Sequence, residues 1–245
     1  MLTILNRQVP ETLSEIVKPE HTVVMVHDMQ NDNTGKGGKS DKIGRRIDVT
    51  GIIPPIASFL RHARQVGARV MYTQYTNLPN FGTFTEPRLR DYRQLLNDPR
   101  ERANLDSMLD GSWGWQTIDE LKPEAGEISI RKFRVDAFIG TLFEYLLRLN
   151  KIRTIIHTGI ATEVGILPTA WHALNLGFFV VVPEDCVGPM HKEFHDDAMK
   201  FLRRLAIATT SAEIVKAWDG MAKGADRGGR SRARGNAPVP RGRKR

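Results

Sequence analysis

Val23-Val24-Met25-Val26-His27-Asp28 is the stretch that decides the fold. Four apolar residues, three of them β-branched, run unbroken toward a carboxylate. That is the pattern of a strand buried on both faces whose carboxyl end meets a polar edge. Working outward, a polar, glycine-rich loop covers Asn31 to Gly51. A helical set (Ile56, Phe59, Leu60, Ala63, Val66) then begins at Pro54-Pro55 and closes at Gly67. Ala68 to Tyr72 reads as a second strand. Thr76 to Trp115 is irregular, with helical pieces expected around Leu89–Leu96 and Arg102–Leu109. Glu127–Arg131 is a third strand, and Thr141–Leu149 a helix carrying Leu142, Tyr145, Leu146 and Leu149. Thr154–His157 is a fourth strand, followed by a helix from Val164 to Leu176 that Gly177 stops. Phe178–Val182 is a fifth strand, Lys192–Leu205 a helix, and Ile207–Thr209 a short sixth strand. Ser211 N-caps a last helix to Trp218. This alternation predicts an α/β fold of three layers, a six-stranded parallel sheet with helices on both faces. Ligands of such sheets gather beyond the carboxyl ends of the strands. The residues to question are therefore His27, Asp28, Gln74, Lys132 and the turn Gly159 to Gly165.

The chain has 245 residues, 40% of them hydrophobic, enough for one sizeable core and too apolar for a disordered or fibrous chain. Its longest apolar runs, such as Phe178–Val182, are far too short to cross a bilayer, and Met1–Pro10 lacks the pattern of a secretion signal. A lone cysteine, Cys186, leaves no internal disulfide to form and fits a reducing, cytoplasmic setting. The net charge of +8 is local: nine Lys or Arg against Asp226 alone lie from Ala222 onward, so the rest of the chain is neutral. Three segments follow: an N-terminal arm (1–20), a folded domain (21–220) and a basic tail (221–245). The tail has almost nothing to bury and is expected to stay unordered. It reads either as a solvated extension or as an arm for polyanions. The absence of aromatics among its arginines favours the first.

Asp28 and Lys132 each end a strand. At neighbouring carboxyl ends they can pair in a partly dry crevice, where a carboxylate donates or accepts protons according to its burial and the pull of the lysine. Each taken singly is also compatible with an ordinary strand-end charge turned to water.

Three blocks of the sequence carry a resemblance. Val-Val-Met-Val-His-Asp-Met-Gln-Asn-Asp (23–32) resembles the opening strand of the isochorismatase-like hydrolase superfamily. Arg131-Lys132 followed by Ala137-Phe138 and Gly140-Thr141 resembles its second block. Gly159-Ile-Ala-Thr-Glu-Val-Gly165, with the helix and strand after it up to Glu184-Asp185, resembles its third. The resemblance spans about residues 15–218. It implies a six-stranded parallel sheet, Asp28 as catalytic acid/base and Lys132 as its supporting lysine. It also implies that the turn around Ile160, Ala161, Thr162 and Gly165 is the nucleophile loop, with backbone N–H groups able to hold negative charge. A non-proline cis peptide at Ile160–Ala161, no cofactor, and a homodimer or homotetramer are implied as well.

One departure bears on mechanism. Most of the superfamily are cysteine hydrolases, and their nucleophile falls where this chain has Gly165. Cys186 lies past the fifth strand and matches a position that is not catalytic in the family. True isochorismatases also carry glycine there and hydrolyse a vinyl ether, with an aspartic acid protonating the substrate and water capturing the cation. His27 and the pair Trp113-Gly114 resemble theirs, whereas Ala161, Thr162 and Gln74 do not. The expectation is a hydrolase of a small molecule that lacks a cysteine nucleophile and uses Asp28 as its acid. The alternative is an altered or inactive amide/ureido-type homologue that binds a small molecule or a protein. His27, Gln30, Gln74, Trp113, Trp115, Phe138 and Glu163 are the substrate-binding candidates. Glu163 can also serve as an extra acid/base or simply cap the helix N-terminus electrostatically. No metal is expected: nicotinamidase relatives bind zinc with an Asp and two His between the second and third strands, and 75–131 contains no histidine. His191 and His195, spaced i, i+4, have no evident third ligand. Asn33 to Ser40 falls one glycine short of a phosphate-binding loop. The reading requires the Lys132 amine close to Asp28, and a carboxylate that is not walled off from a cavity bordered by Gly165.

Overall fold

The computed structural model describes residues 1–93, 97–102 and 106–234. The chain opens on a two-stranded antiparallel hairpin, β1 (Leu2–Ile4) and β2 (Arg7–Val9), within the arm that sequence patterning left without structure. A one-turn helix, Leu13–Ile16, follows it, with Thr12 and Glu15 forming a capping box. Six parallel strands come next: β3 (Thr22–His27), β4 (Arg69–Tyr75), β5 (Ile128–Lys132), β6 (Thr154–Gly159), β7 (Phe179–Pro183) and β8 (Ile207–Thr209). Their spatial order is β5-β4-β3-β6-β7-β8. The winding reverses between β3 and β6, and the crevice at that switch point is where open α/β sheets bind ligands.

All six residues of β3 are buried, as its unbroken apolar run dictates. Val24, Val26, Val70, Tyr72 and Ile156 face one layer, made by the helices Ile53–Gln65 and Ser211–Arg234 through Ile56, Phe59, Leu60 and Trp218. Val23, Met25, Met71, Ile130 and Ile155 face the other. There Phe143, Leu147, Ala170, Ala173, Met199 and Leu202 cover them from the helices Phe143–Leu149, Leu167–Asn175 and Lys192–Leu205. The three layers and six parallel strands are those the alternation predicts.

Several details differ. The helix after Thr141 buries Phe143 and Leu147, while Leu142, Tyr145 and Leu149 are exposed. The apolar positions there fit two helical stripes, and sequence periodicity chose the one that faces out. The second strand runs on to Tyr75, so Gln74 lies inside it. A short helix, Pro99–Arg102, has proline at its first helical position, and of the helical piece expected at Arg102–Leu109 residues 103–105 lie outside the described residues. The downstream end of that expected piece cannot be helical at Met108, which takes φ 53°. Asn31–Gly51 contains two short helices, Asn31–Thr34 and Lys39–Lys42, in place of a phosphate cradle. A Cβ on Gly38 would sit 2.0 Å from the Asn31 carbonyl oxygen, so the glycine there serves close packing. The last helix does not stop at Trp218 but continues to Arg234, so the first part of the basic segment is helical. Once Ile214 and Trp218 anchor that helix, each further residue adds one hydrogen bond without a new nucleation step. The expectation for residues 235–245 lies outside the described residues. No described helix is long and apolar enough to cross a membrane.

Candidate active site

Asp28 is the first residue after β3, and its backbone leaves the strand with φ 49°, a left-handed conformation that is uncommon and costly for a non-glycine residue. Two contacts hold it there: its N–H donates to the Thr73 carbonyl at 3.1 Å, and its carbonyl accepts from Gln30 N–H at 2.8 Å. The bend turns the carboxylate over the carboxyl end of β4. Lys132, last in β5, reaches back across the same strand end, and its Nζ lies 2.7 Å from Asp28 Oδ2. The ammonium also donates to the Val135 carbonyl at 2.7 Å, and Thr73 Oγ1 donates to Asp28 Oδ1 at 2.9 Å. Lys132 is 1% exposed and Asp28 8%. An ion pair this dry is held only by good geometry and by further hydrogen bonds such as these two.

The turn after β6 completes the arrangement. Gly159 takes φ 97°, and a Cβ on it would lie 2.3 Å from the His27 carbonyl oxygen, so only glycine lets β6 pass β3 this closely. The Ile160–Ala161 peptide is cis. A single π-helical turn, Thr162–Ile166, then feeds the helix Leu167–Asn175. It carries Gly165 against the ion pair: a Cβ there would point 3.3 Å from Lys132 Nζ and 3.5 Å from Asp28 Oδ2. The position that lacks a side chain is thus the one that faces both charges. Within the turn, Gly165 N–H donates to the Ala161 carbonyl at 2.9 Å and Thr162 N–H to the Gly188 carbonyl at 2.9 Å. These two N–H groups are therefore committed inside the protein, while the Ala161 N–H makes no hydrogen bond among the described residues.

The other candidates are not all brought to this place. His27 is fully buried behind the sheet end, and its Nε2 meets His157 Nδ1 at 2.9 Å. Gln30 spends both ends on backbone: its Nε2 donates to the Tyr75 and Trp115 carbonyls, and its Oε1 accepts from Tyr75 N–H. Gln74 donates to the Trp115 carbonyl at 3.3 Å, with its Oε1 buried and unpartnered. Trp115 donates to Thr76 Oγ1 and lies under the Arg131 guanidinium. Phe138 is core, packed on Phe143, Phe178 and His172. Trp113 is exposed and lines a separate cavity of about 300 Å³ with Asn31, Lys36, Val49, Ile53 and Ile118, apart from Asp28 and Gly165. Glu163 Oε1 accepts from the N–H groups of Met190 and His191, tying the turn to the start of the helix Lys192–Leu205. It satisfies the N-terminus of a neighbouring helix and not of its own. The Asp28 side chain is 12% exposed.

Two residues escaped sequence reading. Thr73 looks like β-branched strand filler until the register sets it beside Asp28. Asp32 is buried and accepts from Met108 N–H at 2.7 Å and Lys39 N–H at 3.1 Å. Gly114 packs on its carboxylate, which accounts for the glycine of the Trp113-Gly114 pair. Cys186 is buried, and burial pushes its thiol up. Among the described residues no group of three or more His, Cys, Asp or Glu is arranged to hold a metal ion.

Fold and site together define an α/β protein with an Asp–Lys ion pair at its topological switch point. The isochorismatase domain family matches residues 22–213, and the chain belongs to that family of hydrolases. Ureidoacrylate amidohydrolase from Pseudomonas savastanoi pv. phaseolicola is 32% identical over 197 residues, covering 78% of this chain and 80% of the relative. The same enzyme from Agrobacterium fabrum is 32% identical over 202 residues, covering 80% and 87%. Among solved structures, a cysteine hydrolase from Pseudomonas syringae pv. phaseolicola superposes with a TM-score of 0.71 at 19% identity, covering 84% of this chain and 95% of that one. N-carbamoylsarcosine amidase from Thermoplasma acidophilum superposes with a TM-score of 0.59 at 24% identity, covering 78% and 96%. These two likenesses concern the fold alone.

Proposed function

We propose that this chain hydrolyses a small molecule, a vinyl ether or a related bond, without a nucleophile of its own and with Asp28 as general acid. The observation that carries the reading is the direction of the missing side chain. Gly165 turns an empty Cβ position to within 3.5 Å of Asp28 Oδ2, so the space a thiol would fill is left to substrate or water. In the first step Asp28, having taken up a proton from solvent at Oδ2, gives that proton to the enol-ether carbon. The carboxylate left behind accepts from the Lys132 ammonium and the Thr73 hydroxyl, both already in place. Water then adds to the oxocarbenium ion, and the proton it sheds returns to Asp28. The hemiketal collapses to a carbonyl compound and an alcohol. Positioned proton transfer of this kind contributes about 10²–10⁴-fold.

A second reading draws on the ureidoacrylate amidohydrolases at 32% identity: an altered amide/ureido-type homologue that binds such a compound without turning it over. A substrate screen over vinyl ethers, amides and ureido compounds, followed by mass spectrometry, separates the two. The acid reading expects turnover of an enol ether that Asp28→Asn lowers by at least about 100-fold. Undiminished turnover by Asp28→Asn refutes it. Binding without turnover of any class supports the second reading. The expected homodimer or homotetramer belongs to the same proposal. The exposed Ile139, Leu142, Tyr145 and Leu149 offer the apolar face that association needs, and sedimentation of the intact chain tests it.

A further inference from the structure

Behind the ion pair, polar groups continue into the core where apolar residues are the norm. The sheet register sets His27 beside Thr73 and Met25 beside His157, so His27, Thr73 and His157 share one face. All three are buried. Thr73 Oγ1 touches Asp28 Oδ1 at 2.9 Å and His27 Nδ1 at 3.4 Å, and His27 Nε2 touches His157 Nδ1 at 2.9 Å. His157 Nε2 is buried with no partner.

We propose that Thr73, His27 and His157 are a tautomer lock that keeps Asp28 Oδ1 as a permanent acceptor and leaves Oδ2, beside Gly165, to carry the exchangeable proton. The donor directions follow one from another. A threonine hydroxyl has a single proton, and here it goes to the carboxylate, which can only accept. Toward His27, then, Thr73 is the acceptor and Nδ1 must bear the ring's hydrogen. Burial holds both imidazoles neutral, His27 well below its ordinary value and His157 down to about 3, with the His157 ring and the Lys132 ammonium adding to the effect on His27. A neutral imidazole has one N–H, so His27 Nε2 is a bare lone pair and accepts from His157 Nδ1–H. The bare nitrogen of the second ring, His157 Nε2, is the buried atom without a partner. The opposite tautomer of His157 would propagate outward. Its Nδ1 would require His27 Nε2–H, His27 Nδ1 would then accept, and the Thr73 proton would be drawn away from Asp28. His27 and His157 are thus positioning residues that touch no reacting atom.

The spectroscopic part of the test is independent of the proposed reaction; only the kinetic part rests on Asp28 as acid. Long-range 1H–15N correlation spectra of the full chain with labelled histidine, at pH 7, are expected to show His27 and His157 both as neutral Nδ1–H tautomers. An Nε2–H or charged form of either ring overturns the lock. In His157→Leu, Thr73 still accepts from His27 Nδ1–H, so His27 is expected to stay the Nδ1–H tautomer; an Nε2–H His27 in that variant also overturns the lock. Thr73→Val is expected to lower kcat about 10- to 100-fold with KM unchanged, the cost of one hydrogen bond to a charged group, and Thr73→Ser to restore it. A loss confined to KM overturns the positioning role. Should Asp28→Asn retain full turnover, the acid reading fails, while the ring tautomers still report on the lock.

Discussion

Putting a cysteine back at position 165 tests the geometry of the site directly. In Gly165→Cys the new Cβ lies 3.3 Å from Lys132 Nζ, a contact the flexible amine relieves by moving a few tenths of an ångström. A sulfur on that Cβ sits about 4 Å from both charges, where each interacts with a thiolate by roughly 4 kcal/mol at an effective dielectric of about 20. The ammonium favours the thiolate and the carboxylate opposes it equally, so the thiol of Gly165→Cys should titrate near the ordinary ~8.5. Adding Asp28→Asn removes the opposing charge. The remaining 4 kcal/mol or so corresponds to about three pKa units, which takes the thiol to roughly 5.5–6. At pH 6.5 the double variant should hold nearly 100-fold more thiolate than the single one; because a less basic thiolate is also a weaker nucleophile, alkylation by iodoacetamide should be several-fold faster, with the inflection of its pH profile about three units lower. Cys186 gives no competing signal, because it is buried and its thiol is pushed up. If the two variants are alkylated with the same pH profile, residue 165 does not face the Asp28–Lys132 pair, and the proposed site is wrong.

Three further outcomes are expected. His157 is held at about 3 and His27 is also lowered by burial, so the unfolded chain binds protons near pH 6.5 that the folded one refuses. Stability should fall as pH drops below 6.5, by up to about 2.7 kcal/mol per unit for the two rings together, and urea midpoints at pH 7 and 5 measure it; equal midpoints contradict buried neutral histidines. A Cβ in Gly114→Ala would lie 2.1 Å from Asp32 Oδ2, and that carboxylate cannot retreat without releasing Met108 N–H and Lys39 N–H. A loss of about 3 kcal/mol, or roughly 6–12 °C in Tm, is expected by calorimetry, against no change for Gly51→Ala, whose Cβ meets nothing within 4 Å. Lys132→Met leaves the Asp28 carboxylate buried without its cation and should cost about 3–5 kcal/mol in chemical denaturation, with Lys132→Met/Asp28→Asn recovering part of it.

The sequence alone determined the layers, the strand count and the places of two charges at strand ends. A short apolar run rich in β-branched residues and bounded by polar ones reads as a strand covered on both faces, and the charge that ends it falls at the rim. Val23–His27 followed by Asp28 is such a run, whereas Ile128-Ser129-Ile130-Arg131 before Lys132 alternates apolar with polar residues; both patterns are local, readable without knowing any neighbour. The tertiary structure alone decided which side chains meet. Thr73, Asp32 and His157 look like filler, a loop acid and an isolated histidine until parallel register and close glycine contacts set them against Asp28, Gly114 and His27. Periodicity likewise could not choose between the Leu142–Tyr145–Leu149 stripe and the Phe143–Leu147 stripe, because both are apolar at helical spacing. The choice fell to the sheet, which has room for the phenylalanine and leucine that fill its second layer. Hydrogen bonds and packing across more than a hundred residues of chain are set by strand order and approach distance, and neither is written in any short window of residues.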